Sequence, residues 1–386
     1  MKPAQEGYRV AVVGASSLLG KELLSVLEEQ AFPVSRLVTF EADEEEPDLP
    51  IVDLRGESQA AVEDREVSEA ELDFAFLAVR PRSLPAFLSA ALQRTVQGSV
   101  QDLRPSEPST EARHCVVIDL AGAGLDGGLA AGLPDGASSG QDIARTFVSR
   151  RVSIPFLDRR YSPPPESASE AAASGFLVSP HPVVIVISGL LLRLASRFPL
   201  QRAVAQVFVS ASEIGPRAID ELQKQTVSLL SFQKIPSKVF GTQLAFNLLR
   251  RPGKSGESHL PDLESRSRME LQHYLRGRVP LPALHLVQAP VFYSLAISLY
   301  VETARAVTAE EATAALAGER VRVRRLSQDS PTHVEVVGSS DILVDAVAID
   351  ATHPNGIWLW AVADNLRLAA LNAVEIAESL RLRVRA

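Results

Sequence analysis

The stretch RVAVVGASSLLGKELLSVLEEQ, residues 9–30, decides how this chain begins to fold. Its first part, Arg9–Gly14 (RVAVVG), is an unbroken apolar run rich in valine. That is the pattern of a strand buried on both faces of a parallel sheet. Its second part carries Leu19, Leu23, Val26 and Leu27 at helical spacing through Lys21–Gln30 (KELLSVLEEQ). A short second strand, Leu37–Phe40 (LVTF), comes next. Strand, turn, helix and strand form a β-α-β unit, the opening of a Rossmann-type doubly wound parallel sheet domain of the α/β class.

Between strand and helix lies Gly14-Ala15-Ser16-Ser17-Leu18-Leu19-Gly20. Gly14 permits the tight turn and Gly20 the close packing of helix on sheet, while backbone amides at the helix start face an anion such as a pyrophosphate. The middle glycine of the usual pattern is Ser17, whose side chain would crowd a phosphate or donate a hydrogen bond to it. Gly14, Ser16, Ser17, Leu18 and Gly20 are thus candidate dinucleotide contacts. The plain alternative is a structural turn that binds nothing. The acidic run Glu41–Glu46 (EADEEE) follows the second strand, where an adenosine ribose would lie. Carboxylates there accept from a ribose 2′-OH and repel a 2′-phosphate, so NAD is expected over NADP.

Working outward, Phe74–Val79 (FAFLAV) and Cys115–Leu120 (CVVIDL) read as further buried strands, with Ala86–Leu92 helical between them. Gln97–Arg113, Gly122–Gly140 and the proline-rich Ser162–Gly175 read as surface loops or linkers. The second half changes character. Val183–Ala195 and Ala218–Leu230 are helix candidates; Ala203–Ala211 and Val287–Glu302 are long strands. Asp364–Leu380 is a helix expected to return to the first domain. The expected division is residues 1–178 with 358–386, and 179–357.

A chain of 386 residues with 46% hydrophobic and 22% charged content is a soluble, folded composition of two domains. The net charge of −8 argues against nucleic acid as a partner, since phosphate contacts need a basic footprint. The single cysteine, Cys115, excludes an intrachain disulfide. The N-terminal stretch has no apolar signal core, and the longest apolar run, Val183–Leu192, is too short to cross a bilayer. A cytoplasmic protein without membrane attachment is expected.

Residues 10–37 resemble the N-terminus of aspartate-semialdehyde dehydrogenases. The resemblance continues through Val116–Leu120, Phe240–Leu248 (FGTQLAFNL), Ala289–Tyr293 (APVFY) and Ala363–Glu378. The phrases LVQAPVFY and VADNLR look like the Usg branch of that family, whose members have diverged at the active site. The resemblance implies a second, α+β domain of dehydrogenase type that mediates dimerisation, and hence a homodimer.

It also implies a cysteine thiolate opening a helix, a histidine acid–base and arginines for carboxylate and phosphate, with hydride passing to NADP. These positions fall on other residues here. The Asn-Pro-Asn-Cys motif matches Ser179-Pro180-His181-Pro182, so Pro182 stands for the nucleophile. Leu295 stands for the histidine, Gln288 for the substrate arginine, Val209 for a glutamine and Leu125 for a phosphate-holding arginine. The small turn that admits nicotinamide is Ala78-Val79-Arg80-Pro81. Asn365 matches the asparagine that faces the nicotinamide carboxamide, although Asp364 or Asn365 would also serve as a plain helix cap. His181 reads as a loop residue with local hydrogen bonds, and no metal site is expected.

The leading expectation is therefore a non-catalytic homologue, a pseudoenzyme with a binding or assembly role and an unnamed small-molecule ligand. The alternative is an NAD-dependent oxidoreductase with altered substrate and chemistry. Ser179, Ser188, Ser210, Ser212 and Ser294 are available to it without a visible His/Asp partner.

Overall fold

A computed structural model describes residues 7–40, 72–79, 115–122, 151–161, 176–254, 256 and 260–384. The acidic run Glu41–Glu46, the helix expected at Ala86–Leu92, Arg80, Leu125 and the linker Ser162–Gly175 lie outside these residues. The chain divides into two compact units, Met1–Pro180 with Ala369–Ala386, and His181–Leu368.

The first unit holds β1 (Tyr8–Val13), α1 (Leu18–Glu29), β2 (Val34–Phe40), β3 (Phe74–Leu77), β4 (Val116–Asp119), β5 (Arg151–Val152), α2 (Pro155–Tyr161) and β6 (Phe176–Val178). Its strands form one parallel sheet in the order β2-β1-β3-β4-β6-β5. The apolar runs need no alternation because β1 and β3 are covered on both faces. Val10, Val12, Phe74, Phe76 and Ile118 share a core with Leu23, Val26 and Leu27 of α1. The same core takes Ala370, Ala373, Val374 and Ala377 from the C-terminal helix, where small side chains let the helix lie close to its neighbours.

The second unit contains α3 (Pro182–Ala195), β7 (Leu200–Val209), α4 (Pro216–Leu230), α5 (Leu260–Leu275), β8 (Ala283–Gln288), β9 (Leu295–Thr303), α6 (Ala309–Leu316), β10 (Val321–Val323), β11 (Ile342–Val344), β12 (Ala348–Ile349) and β13 (Gly356–Ala363). The helix α7 (Asn365–Val384) begins here and continues into the first unit. The mixed sheet runs β10-β11-β13-β9-β7-β8, with β12 beside β13. α3 is apolar on every side and correspondingly buried through its length, packing on β7, β9 and β13.

The opposite sheet face presents the cross-strand row Val204–Tyr300–Trp358. Val204 and Trp358 there are 42% and 46% exposed. One face of the sheet is thus covered by helix, while the other carries aromatic surface.

Two expectations are corrected. Val287–Glu302 is two strands, β8 and β9, because Pro290 cannot donate to a ladder and Ser294 turns the chain with φ +71°. The strand β13 pairs with β9 over eight residues, so 358–368 belong to the second unit rather than the first.

Candidate functional site

Four strands of the second unit end together. Val209 of β7 pairs with Gln288 of β8 and with Leu295 of β9, and Leu295 pairs with Ala363 of β13. Alternation along each strand puts these four side chains on the face that α3 covers. Three scattered sequence positions, Gln288, Val209 and Leu295, therefore form one cross-strand row. Gln288 is 2% exposed, and Val209 and Leu295 are 1% exposed. The Gln288 side-chain amide donates to the Val209 carbonyl at 3.0 Å, and its Oε1 has no hydrogen-bond partner. A neutral amide at the end of an aliphatic row offers no charge for holding a carboxylate.

The loops leaving these strand ends meet in a hydrogen-bonded network. Asn365, first residue of α7, is its hub and is buried. Its Oδ1 accepts from the Ser294 amide at 3.0 Å and from the Ser212 hydroxyl at 3.2 Å; its Nδ2 donates to Glu213 at 3.4 Å. The helix cap is Asp364, whose Oδ1 accepts from the Leu366 and Arg367 amides. Asp364 satisfies the helix start, and Asn365 ties the Ser212–Glu213 turn and the Ser294 turn to the start of α7.

His181 is the residue before Pro182 and caps α3. Its Nδ1 accepts from the Val183 amide at 3.2 Å, which leaves the proton on Nε2, 2.9 Å from Glu213 Oε1. The His181 amide donates to Glu270 at 2.7 Å, and Glu270 in turn accepts from Arg266 Nε at 2.7 Å. The local bond to Val183 matches the reading of His181 as locally held. Glu213 and Glu270, lying 32 and 89 residues away, carry no signal in a linear scan. With both ring nitrogens committed, the imidazole has no lone pair to offer a substrate. Pro182 suits its place as first residue of α3, since a proline there gives up an amide that the helix does not use.

Ser294 Oγ lies 2.7 Å from His333 Nδ1 and 3.2 Å from the His333 carbonyl. Burial pushes the His333 imidazole below its ordinary pKa, opposed by a hydrogen bond to the Tyr293 backbone. Of the serines available to a hydroxyl-based chemistry, Ser294 is the one with a histidine beside it. It is fully buried in a left-handed backbone conformation. Ser179 contacts Asn372, and Ser210 contacts Ser212. Among the described residues no group of three His, Cys, Asp or Glu side chains stands close enough to hold a metal ion.

In the first unit, Gly14, Ser16 and Ser17 lie in the turn between β1 and α1, and Leu18 and Gly20 lie in the first turn of α1. Gly14 has φ +81°, and a Cβ there would come within 2.5 Å of the Val79 side chain. A Cβ on Gly20 would meet the Gly14 carbonyl at 2.1 Å, so its bareness serves the turn's own backbone rather than the sheet. The Ser17 hydroxyl is spent inside the turn: it donates to the Gly14 carbonyl at 2.7 Å and accepts from the Gly20 amide at 3.0 Å. It caps α1 and has no proton left for a phosphate. The turn keeps the shape of a dinucleotide loop, with Val79 packed against it.

Comparison with known proteins agrees with these two units. Residues 191–368 match the family model described as semialdehyde dehydrogenase, dimerisation domain. Aspartate-semialdehyde dehydrogenase of Rickettsia bellii is 25% identical over 379 residues, spanning 97% of each chain. Along nearly its whole length the chain is similar to aspartate-semialdehyde dehydrogenases. A USG-1 protein homolog of Pseudomonas aeruginosa is 26% identical across 96% of this chain and 97% of its own. The crystal structure of aspartate semialdehyde dehydrogenase II from Vibrio cholerae superimposes with a TM-score of 0.74 at 25% identity, covering 97% of this chain and 98% of that one. The family fold, a parallel nucleotide-type sheet with a mixed dimerisation sheet, is the one observed. No helix among the described residues is long and apolar enough to cross a membrane.

Proposed function

We propose that this chain is a non-catalytic member of its family, with a binding or assembly role exercised as a homodimer. Pro182 carries the reading. It occupies the position that the resemblance gives to the nucleophile, at the first turn of α3, and it has neither a thiol nor an N–H. The aliphatic row beside Gln288 supports it, because the acid–base and carboxylate-binding positions offer no titratable group. Cys115 is 2% exposed, at the edge of β4 in the other unit, and is a small core residue.

The test is direct. The chain is incubated with aspartate semialdehyde, phosphate and either NADP or NAD, and reduced cofactor is followed by absorbance. No reduction is expected with either. Phosphate-dependent reduction above a heat-killed control would end the proposal.

The homodimer is supported by the dimerisation-domain match and by the aromatic row Val204–Tyr300–Trp358, of a kind that a second sheet would cover. Light scattering at micromolar concentration is expected to give the mass of two chains. A monomer would count against it.

A second reading, an NAD-dependent oxidoreductase with altered substrate, is favoured by the retained left-handed Gly14 turn. A nucleotide cofactor would be held there by Gly14, Ser16, Ser17, Leu18 and Gly20. The cofactor would supply hydride chemistry, and this chain's turn would fix only its pyrophosphate. Nothing in the described residues favours NAD over NADP. Calorimetric titration separates the readings: no heat with either dinucleotide removes the oxidoreductase, and saturable binding of one restores it.

A further inference from the structure

Away from the strand-end network, the second unit carries a hollow of about 420 Å³ lined by Arg250, Arg251, Pro261, Glu264, Ser265 and Arg268. Glu264 organises it from the first half of α5 and is itself 14% exposed. Its Oε2 accepts from Arg250 Nη2 at 3.0 Å and from the Leu286 amide at 3.2 Å; its Oε1 accepts from Arg268 Nη2 at 3.3 Å. Arg250 also donates from Nε to His285 Nε2. The chain just before it is pinned to the free edge of β8, where Leu249 and Gln288 exchange both backbone hydrogen bonds. Arg250 is thus held from two directions and Arg268 from one, and Arg251 stands beside them with no ion-pair partner among the described residues.

We propose that this hollow is a binding site for a small phosphorylated metabolite. Among the described residues three guanidiniums line the hollow with one carboxylate, an excess of positive charge on a chain whose net charge is −8. Guanidinium forks match the geometry of phosphate oxygens and lose little freedom when they are already braced. The volume is that of a small-molecule pocket. This site is independent of Pro182 and of the glycine turn, and it does not rest on the proposal above.

Calorimetry on the full chain at fixed ionic strength, with pyrophosphate as the probe, tests the assignment. Saturable one-to-one binding is expected. R251A and R268A should each weaken it about ten-fold, and the double variant should abolish it. K224A, which removes a surface lysine on α4, should bind as the parent does. Unchanged thermal unfolding of R251A, an exposed position, controls for folding. Absence of saturable heat would overturn the site. So would undiminished binding in the double variant, which would place the anion elsewhere, such as on the Gly14 turn.

Discussion

The His181 and Glu213 side chains meet at 2.9 Å, although 32 residues separate them in sequence. The imidazole simultaneously caps α3 through its other nitrogen. His181→Ala therefore removes a cap and one of the donors to Glu213, a loss of about 2–3 kcal/mol of stability. His181→Asn keeps a capping side chain and should recover about 1 kcal/mol of that. Urea denaturation of the three proteins checks the order; equal stability of His181→Ala and parent would show that the pair contributes nothing.

Asn365 and Asp364 are adjacent and do different work, so their variants should separate. Asp364→Ala loses an N-cap and about 1 kcal/mol. Asn365→Ala removes the acceptor of the Ser294 amide and of the Ser212 hydroxyl, and a donor to Glu213, for about 2–3 kcal/mol. Thermal unfolding should rank Asn365→Ala well below Asp364→Ala. The reverse order would mean that capping dominates.

Gly14 and Val79 are in steric contact across the turn, which a double-mutant cycle can read. Gly14→Ala should cost about 2–4 kcal/mol, part from left-handed backbone strain and part from collision with Val79. A Val79→Ala background removes the two γ-carbon collisions and leaves the strain and a tight Cβ contact, so a coupling of about 1 kcal/mol is expected. Simple additivity would remove the collision from the explanation.

His333 provides a pH dependence with a fixed sign. Its folded pKa lies below the unfolded value, so the unfolded chain takes up this proton first as pH falls. Its contribution to stability is complete above the unfolded pKa of about 6.5 and declines as pH drops toward the folded value. Denaturation midpoints of the parent and His333→Asn, compared at pH about 7.5 and about 5.5, should converge at the acid end. Parallel lines would rule this histidine out as a source.

The first β-α-β unit was legible in the sequence because its signals are local: a valine run, two glycines and four apolar residues at helical spacing. The break between β8 and β9 was also written there, in Pro290, but the apolar run on either side of it is continuous enough to mask it. α5 escaped notice for a physical reason. It buries Arg266, Ser267 and Glu270 along with its leucines, so its hydrophobic pattern is weak. α6 could have been found from Thr308 and Glu311, a reciprocal cap three residues apart. At the candidate site, Pro182, Leu295 and Gln288 were found by matching motifs. Glu213, Glu270 and His333 were not, because their partners are set by where strands end rather than by spacing along the chain.

The division of α7 between the two units also sets an order of assembly. The sheet of the second unit is encoded by one continuous segment, whereas the first unit's core lacks Ala370, Ala373, Val374 and Ala377 until the segment after residue 368 exists. During synthesis the portion that starts first must finish last. A ribosome-bound chain truncated before Ala369 would present the second unit protease-resistant and the Val10–Phe76 core still open to digestion.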